Sequence, residues 1–536
     1  MPPKGYLALV LHAHLPFVRH PEHDRFLEED WFFEAITECY LPLLEVFERL
    51  ARDHIPFKLS LVLTPSLLAM LSDDLLCSRY RLHLEELIEL AEREVVRTRQ
   101  SQELQLLARM YLDRFRKTQQ RFVEHHRGDL VSAFAEFDRS GHLELFTSAA
   151  THAYLPALQH YPLAVAAQIR TAIWSHRKLF GRAPRGFWLP ECGYFEGLAD
   201  QLAQSSVGYF ILDTHGLLHA NPGPSYGVYA PILCRPGLAA FGRDRSSSRQ
   251  VWSAKEGYPG DPDYREFYRD IGFDLEHQDL GPHIQPTGDR KNTGIKYFRI
   301  TGQTRNKKYY SQKKAIQKCD SHAKDFVQQR KLQIEKLWSE TKGAGPPIVV
   351  SPYDAELFGH WWYEGPLFLE NVFRKIDSEQ SVFECITLGD YLERHPIHQV
   401  ATPSPSSWGH NGYNEMWLNE SNDWIYNHIH WASKEMIALA EKHGQARDLV
   451  ERFLNQAARE LMLAQSSDWA FIMKTQTMVP YAVRRTNEHL LAFRRLHEQI
   501  KACQLDEDFV SHLEQLHNIF PDMDFRCYRD DYRDQE

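Results

Sequence analysis

Two carboxylates stand in surroundings suited to chemistry on a sugar. Glu191 lies in WLPECGY, preceded by Trp188 and Pro190 and followed by Gly193, and Asp354 lies in SPYDAELFGHWWYEG, just before Glu356, His360, Trp361 and Trp362. Paired carboxylates with aromatic faces beside them are what cleavage of a glycosidic bond requires. One attacks or steadies the anomeric carbon and the other protonates the leaving oxygen. A retaining pair would sit about 5–5.5 Å apart. Taken singly, either group reads as a helix cap or an ion-pair partner, so the weight rests on their company.

Histidines add a second reading. His12 and His14 form an HxH pair, and alternate residues of a strand share a face. Joined by His152, Asp354 or His360 they would make a zinc set, and the chain would then be a metal-dependent hydrolase such as a polysaccharide deacetylase or a zinc mannosidase. On the first reading the same imidazoles serve as neutral partners for ring hydroxyls, with no metal. Residue types alone leave both open.

The elements that must position these groups are compact apolar runs. GYLALVL (5–11), FKLSLVL (57–63), HLELFTS (142–148), RGFWLP (185–190), GYFILD (208–213), GLAAFG (237–242), PPIVVS (346–351) and FECITL (383–388) read as buried parallel strands. Seven or eight such strands alternating with helices predict a barrel. Polar residues recur just past the strand ends: His12 and His14, His152, Glu191, Asp213 and His215, Arg243 and Asp244, Asp354. In a parallel barrel those ends converge on one face.

From 66 to 140 the pattern changes to long, charged, amphipathic segments, a helical insertion within a catalytic domain spanning 1–402. Residues 243–345 form a long excursion of loops and helices over one barrel face. After 403 strands cease, and 403–536 reads as a C-terminal helical domain.

Composition narrows the function classes. The 536 residues are 43% hydrophobic and 25% charged, as in an ordinary globular chain, and 12% aromatic with 12 Trp and 28 His. A net charge of −10 argues against nucleic acid or an acidic membrane as partner. The basic stretch 290–318 cuts against that trend and reads as a solvated loop flanking the site. Eight scattered cysteines without CxxC pairs fit reduced thiols in a cytoplasmic protein. The N-terminus lacks the form of a signal peptide, and the longest apolar stretch, 59–71, is too short to span a bilayer.

HAHLP (12–16), THAYLP (151–156), GFWLPECGY (186–194), SPYDAELFGHWWYEGP (351–366) and SSWGHNGYNEMWLNESNDWIYNHIH (406–430) resemble, in order, the five signature regions of glycoside hydrolase family 57. Within that family the chain is most similar to the 1,4-α-glucan branching enzymes. The resemblance implies an incomplete (β/α)7 barrel with an inserted helical domain, a helical C-terminal domain, no metal and no cofactor, and an α-glucan such as glycogen or amylose as partner. It places the nucleophile on Glu191 and the acid/base on Asp354. His12, His14 and His152 would contact the sugar at the cleavage subsite. Trp408 and Trp417 would stack on glucose units, and Asp468 and Trp469 would line the substrate. Trp188, Arg243, His360 and Trp361 complete the expected binding set.

One departure bears on the reaction. Branching enzymes of the family carry a tyrosine on a flexible loop that keeps water from the acceptor side. The matching stretch here, 234–252, has no tyrosine, and Phe241 is its only aromatic before Trp252. Weaker shielding would tilt a covalent intermediate towards water. An α-amylase-type hydrolase or a 4-α-glucanotransferase on the same residues is therefore the alternative, with a weakly active glucan-binding homologue beyond it.

Overall fold

The computed structural model describes residues 2–235, 237–280, 290–341 and 345–532. Parts of the 243–345 excursion and the last four residues of the expected C-terminal domain fall outside them. Among the described residues ten strands form one sheet: β1 (Gly5–Ala13), β2 (Leu59–Leu63), β3 (Leu143–Ser148), β4 (Gly186–Trp188), β5 (Tyr209–Leu212), β6 (Ile232–Arg235), β7 (Leu238–Gly242), β8 (Ile348–Asp354), β9 (Phe383–Cys385) and β10 (Gln399–Val400). The order is β10-β6-β7-β5-β4-β3-β2-β1-β8, with β9 alongside the first half of β1.

All pairings are parallel except β6 with β7. Seven strands, β7-β5-β4-β3-β2-β1-β8, make the wall of an incomplete barrel. Its two ends meet without a ladder: the Asp244 N–H donates to Val350 O at 2.8 Å, and the Ser247 and Ser351 hydroxyls bond beside it. Each of the eight apolar runs read as strands coincides with one, β1 and β8 extending two and three residues beyond theirs. The two strands not read from the sequence, β6 and β10, are short and lie at one edge of the sheet.

The wall has two apolar faces. In β1, Leu7, Leu9 and Leu11 pack outward against helices, while Tyr6, Ala8 and Val10 point into the barrel with Phe146, Trp188, Ile211, Phe241 and Val350. Burial on both faces explains the unbroken apolar runs of these strands.

Between β2 and β3 the chain is helical, with Pro65–Leu71, Asp74–Arg97, Gln102–Gln120 and Leu130–Arg139. Three of those helices start where a side chain accepts a free N–H of the first turn: Asp73 from Leu76, Ser101 from Leu104 and Asp129 from Ser132. After β10 come Trp424–Lys442, Asp448–Ala464, Ser467–Thr475, Val479–Ala502 and Glu507–Leu516. No described helix is long and apolar enough to cross a membrane.

Two sequence expectations need correction. The stretch 234–252, matched above to a loop, holds β7, as GLAAFG predicts, and the helix Arg245–Trp252, and Phe241 is an inward-facing barrel residue 1% exposed. The basic stretch 290–318 is a solvated loop only in part: Arg305, Lys308, Lys313 and Lys314 are exposed, but its last residues open the helix Gln312–Thr341 and other cations are held by the fold. Lys291 pairs with Asp30 at 3.0 Å, Lys307 with Glu266 at 2.6 Å and Lys318 with Asp261 at 3.5 Å. Lys296, 2% exposed, donates to Phe267 O. The acidic partners of these three lysines lie at 30, 266 and 261, so part of the positive charge is paired within the fold.

Candidate active site

The alternation that fills the barrel also builds its rim. One further step of two residues carries Val10 to His12, Val62 to Thr64, Phe146 to Ser148, Ile211 to Asp213 and Phe241 to Arg243, and two steps carry Val350 to Asp354. Each inward row thus ends in a polar group on the same face, the one reached by all the C-terminal strand ends. His12 and Asp354 are register partners in the β1–β8 ladder, and His12 Nδ1 lies 3.2 Å from Asp354 Oδ1.

Glu191 arrives by a strained turn. Its φ of 61° and ψ of 20° are left-handed, a conformation that costs a non-glycine residue about 1–3 kcal/mol and persists only when the surroundings enforce it. Here the Cys192 N–H donates to Leu189 O (2.8 Å), the Gly193 N–H to Pro190 O (2.9 Å) and the Trp408 N–H to Glu191 O (2.9 Å). Gly193 is required by close approach, since a Cβ there would sit 2.7 Å from the Tyr154 ring.

Both Glu191 oxygens accept a hydrogen bond: Oε2 from Trp408 Nε1 at 2.8 Å, Oε1 from the Ser467 hydroxyl at 3.0 Å. Burial pushes this carboxyl up to about 7. The Trp408 and Ser467 bonds oppose the rise, and the Asp468 and Asp354 charges add to it.

His152 also has a left-handed backbone, φ 55°. It is clamped from the C-terminal helices: the Ser467 N–H donates to His152 O at 3.0 Å, and Ala153 bridges to Ser466. Its Nε2 lies 3.1 Å from His12 Nε2 and its Nδ1 2.9 Å from Ser467 Oγ. Burial holds His152 well below its ordinary value, reinforced by His14 and His12, and lowers His12 against the pull of Asp354.

His14 behaves differently. Burial opposes its charged form but is outweighed by the charge and hydrogen bond of Asp468, 3.0 Å away, with Glu356 and Glu191 adding, so its value is raised. Burial would raise Asp468, yet His14 and the Ser466 hydroxyl draw it down. Glu356, which accepts from the His14 N–H and from Tyr40 OH at 2.6 Å, is pushed up to about 7 by burial. His14, His152 and Asp468 present atoms within 4.8 Å of one another, a spacing a cation could use. Those atoms are already engaged: His14 Nε2 by Asp468, and His152 by His12 and Ser467.

The structure brings together Glu191, Asp354, His12, His14, His152, Trp408 and Asp468, with Arg243 beside them. The Arg243 guanidinium bonds Asp213 at 3.1 Å and lies 5.7 Å from the Trp408 ring centre. Trp188 is fully buried and lies flat against His12, centroids 4.7 Å apart, so it sets that ring's plane.

Other expected residues are occupied elsewhere. Trp417, 1% exposed, stacks on Tyr154 at 4.6 Å, and Trp469, fully buried, donates to Leu463 O. Neither offers a ring face to a ligand in this structure. His360 bonds Glu38 at 2.6 Å and packs edge-on against Phe267, while Trp361 beside it is 47% exposed. Sequence reasoning missed Ser467, Ser148 and Thr64. The inward parity of β2 and β3 was a usable signal for the last two. Ser467 had none beyond its place before Asp468.

Comparison with known proteins follows the same outline. The model of glycosyl hydrolase family 57 matches residues 8–403, and that of the C-terminal domain of 1,4-alpha-glucan branching enzyme matches 428–528. The 1,4-alpha-glucan branching enzyme of Thermococcus kodakarensis is 32% identical over 96% of this chain and 77% of its own. Among solved structures, the alpha-amylase AmyC of Thermotoga maritima is similar with TM-score 0.92 and 44% identity, covering 99% of this chain and 100% of that one. The GH57-type branching enzyme of Pyrococcus horikoshii has TM-score 0.87 and 31% identity, covering 99% and 98%. With the family model matching well over half its length, the chain belongs to glycosyl hydrolase family 57.

Proposed function

We propose that the protein is a retaining 1,4-α-glucan branching enzyme acting on glycogen, amylose or a similar polymer in the cytoplasm. The observation that carries the reading is Glu191, a carboxylate whose two oxygens are held by Trp408 and Ser467, joined through His12 and His152 to Asp354. A Glu191 oxygen attacks the anomeric carbon of an α-1,4-linked glucose as Asp354 protonates the departing 4-oxygen. An acceptor 6-hydroxyl then displaces Glu191 while Asp354 takes its proton. Binding along the rest of the chain supplies energy for distortion at the reacting ring.

A second reading is favoured by one observation. A named alpha-amylase is 44% identical across the whole chain, and 234–252 is strand and helix rather than a tyrosine-bearing loop. On that reading water or a 4-hydroxyl takes the glycosyl group. Incubating amylose with the protein separates the two. New α-1,6 anomeric protons by NMR support branching, and new reducing ends without them support hydrolysis.

A further inference from the structure

Five groups form an unbroken line across the site: Asp354 Oδ1, 3.2 Å to His12 Nδ1; His12 Nε2, 3.1 Å to His152 Nε2; His152 Nδ1, 2.9 Å to Ser467 Oγ; and Ser467 Oγ, 3.0 Å to Glu191 Oε1. Without Ser467 the line is broken, because His152 Nδ1 and Glu191 Oε1 are 3.9 Å apart. The serine comes from the start of the helix Ser467–Thr475, outside the barrel, and is 1% exposed.

Proton counting gives this line a direction. An ionised Glu191 only accepts, so Ser467 donates its hydroxyl proton to Oε1 and must accept from His152 Nδ1–H. A neutral His152 protonated there has a bare Nε2. Two imidazole nitrogens 3.1 Å apart are satisfied when one of them carries the proton, so His12 donates from Nε2. The remaining link, His12 Nδ1 to Asp354 Oδ1, then needs a proton of its own. With His12 neutral in its buried place, 3% exposed, this bond is made only when the proton sits on the Asp354 side of it. Reversing every link gives the opposite state, with Glu191 protonated and Asp354 ionised.

We propose, building on the retaining reading above, that Ser467 is a positioning residue that couples the two carboxylates through His152 and His12, so that an ionised Glu191 and a protonated Asp354 occur together. That is the resting state the first displacement needs: a free oxygen pair on the nucleophile and a proton for the leaving oxygen. No proton is created or lost. The one Asp354 gives to the leaving group is replaced by the one it takes from the acceptor hydroxyl as the bond from C1 to Glu191 breaks. The other charged or titratable groups facing the line are His14, Asp468 and Glu356 from the barrel rim and the helix start, and Arg243, which lies across Trp408 from Glu191.

The test is a pH profile of kcat and KM on a maltooligosaccharide for wild type, Ser467→Ala and Ser467→Thr. Losing a hydrogen bond to a charged group predicts a kcat lower by about 10–100-fold in the alanine variant, with KM within about twofold. Both limbs of the profile should move: the acid limb upward, as Glu191 loses a donor, and the basic limb as well, because the link to Asp354 is cut. Ser467→Thr, which keeps the hydroxyl, should restore both limbs. Ser467→Cys, a poorer donor, should shift the same two limbs less and provides a reading if the alanine variant expresses poorly. Movement of the acid limb alone, or of neither, overturns the coupling. The retaining reading fails separately, if Glu191→Gln retains wild-type turnover.

Discussion

His12 and Asp354 face each other at the last rung of the β1–β8 ladder, their Cα atoms in register and His12 Nδ1 3.2 Å from Asp354 Oδ1. The acid/base proposed for Asp354 is therefore held at the last residue of a strand, β8. Position on a strand end fixes where its proton can be delivered more tightly than a loop would. The His12 imidazole is itself fixed by Trp188 stacked against it.

On the proposed mechanism Glu191 sets the acid side of the pH dependence. Burial raises its carboxyl to about 7, and in that mechanism only the ionised form attacks. As pH falls through about 7 the nucleophile is protonated and kcat/KM should fall, approaching tenfold per unit well below that point. A profile of kcat/KM from pH 4 to 9 checks this. A plateau down to pH 5 would contradict it.

Trp408 is predicted to act through its N–H as well as its ring. Its 2.8 Å bond draws the Glu191 value down. Trp408→Phe keeps an aromatic face but removes the donor. It should lower kcat by about 10–100-fold and move the acid limb to higher pH, while Trp408→Ala should also raise KM.

Arg243 holds Asp213 and spans the Trp408 ring. Lysine cannot keep both contacts, because a point ammonium lacks the planar fork. Arg243→Lys should reduce kcat/KM on long glucans by about threefold to thirtyfold, the range of a cation–π contact, with thermal stability nearly unchanged.

Trp417 should register in stability before binding. Its ring is 1% exposed against Tyr154, so Trp417→Ala leaves a cavity costing about 3–5 kcal/mol. Calorimetry should show a clear fall in Tm. Unchanged Tm with a raised KM would return Trp417 to the role of a sugar platform.

Acid should weaken the C-terminal helices. Glu460 accepts from His489 Nδ1 and His517 Nδ1, both at 2.7 Å, and all three are buried. Burial, with Arg485 next, lowers His489 in the folded chain, and the histidines, against burial, lower Glu460. In both cases the unfolded chain binds more protons. Stability is therefore lost as pH falls, first below about 6.5 and then below about 4.5. Tm measured from pH 7 down to 4 should decline steadily, and Glu460→Gln should flatten the lower part of that decline.

Much of this was legible from residues. The strands showed as apolar runs because both faces of the wall are buried, and the polar groups after them marked the face where β1, β4 and β8 end. β6 and β10 were missed because their apolar residues stand in APILCRPG and HPIHQV, short runs broken by proline and polar residues. Which tryptophans face a ligand was not legible: Trp408 and Trp417 stand nine residues apart in one motif, and only packing against Tyr154 distinguishes them. The basic run 290–318 misled in part, because the acidic partners of Lys291, Lys307 and Lys318 are not its neighbours in sequence. Ser467 was invisible because one hydroxyl gains meaning only from the imidazole and the carboxylate it stands between.

The most direct test of the account is to trap the covalent intermediate. The protein is incubated with a 5-fluoro-α-maltosyl fluoride, which slows release of the glycosyl group, then digested and read by mass spectrometry. The account predicts one added fluoroglycosyl unit on the peptide containing Glu191, absent in Glu191→Gln. A label carried by the Asp354 peptide instead, or turnover with inversion and no label, would contradict it.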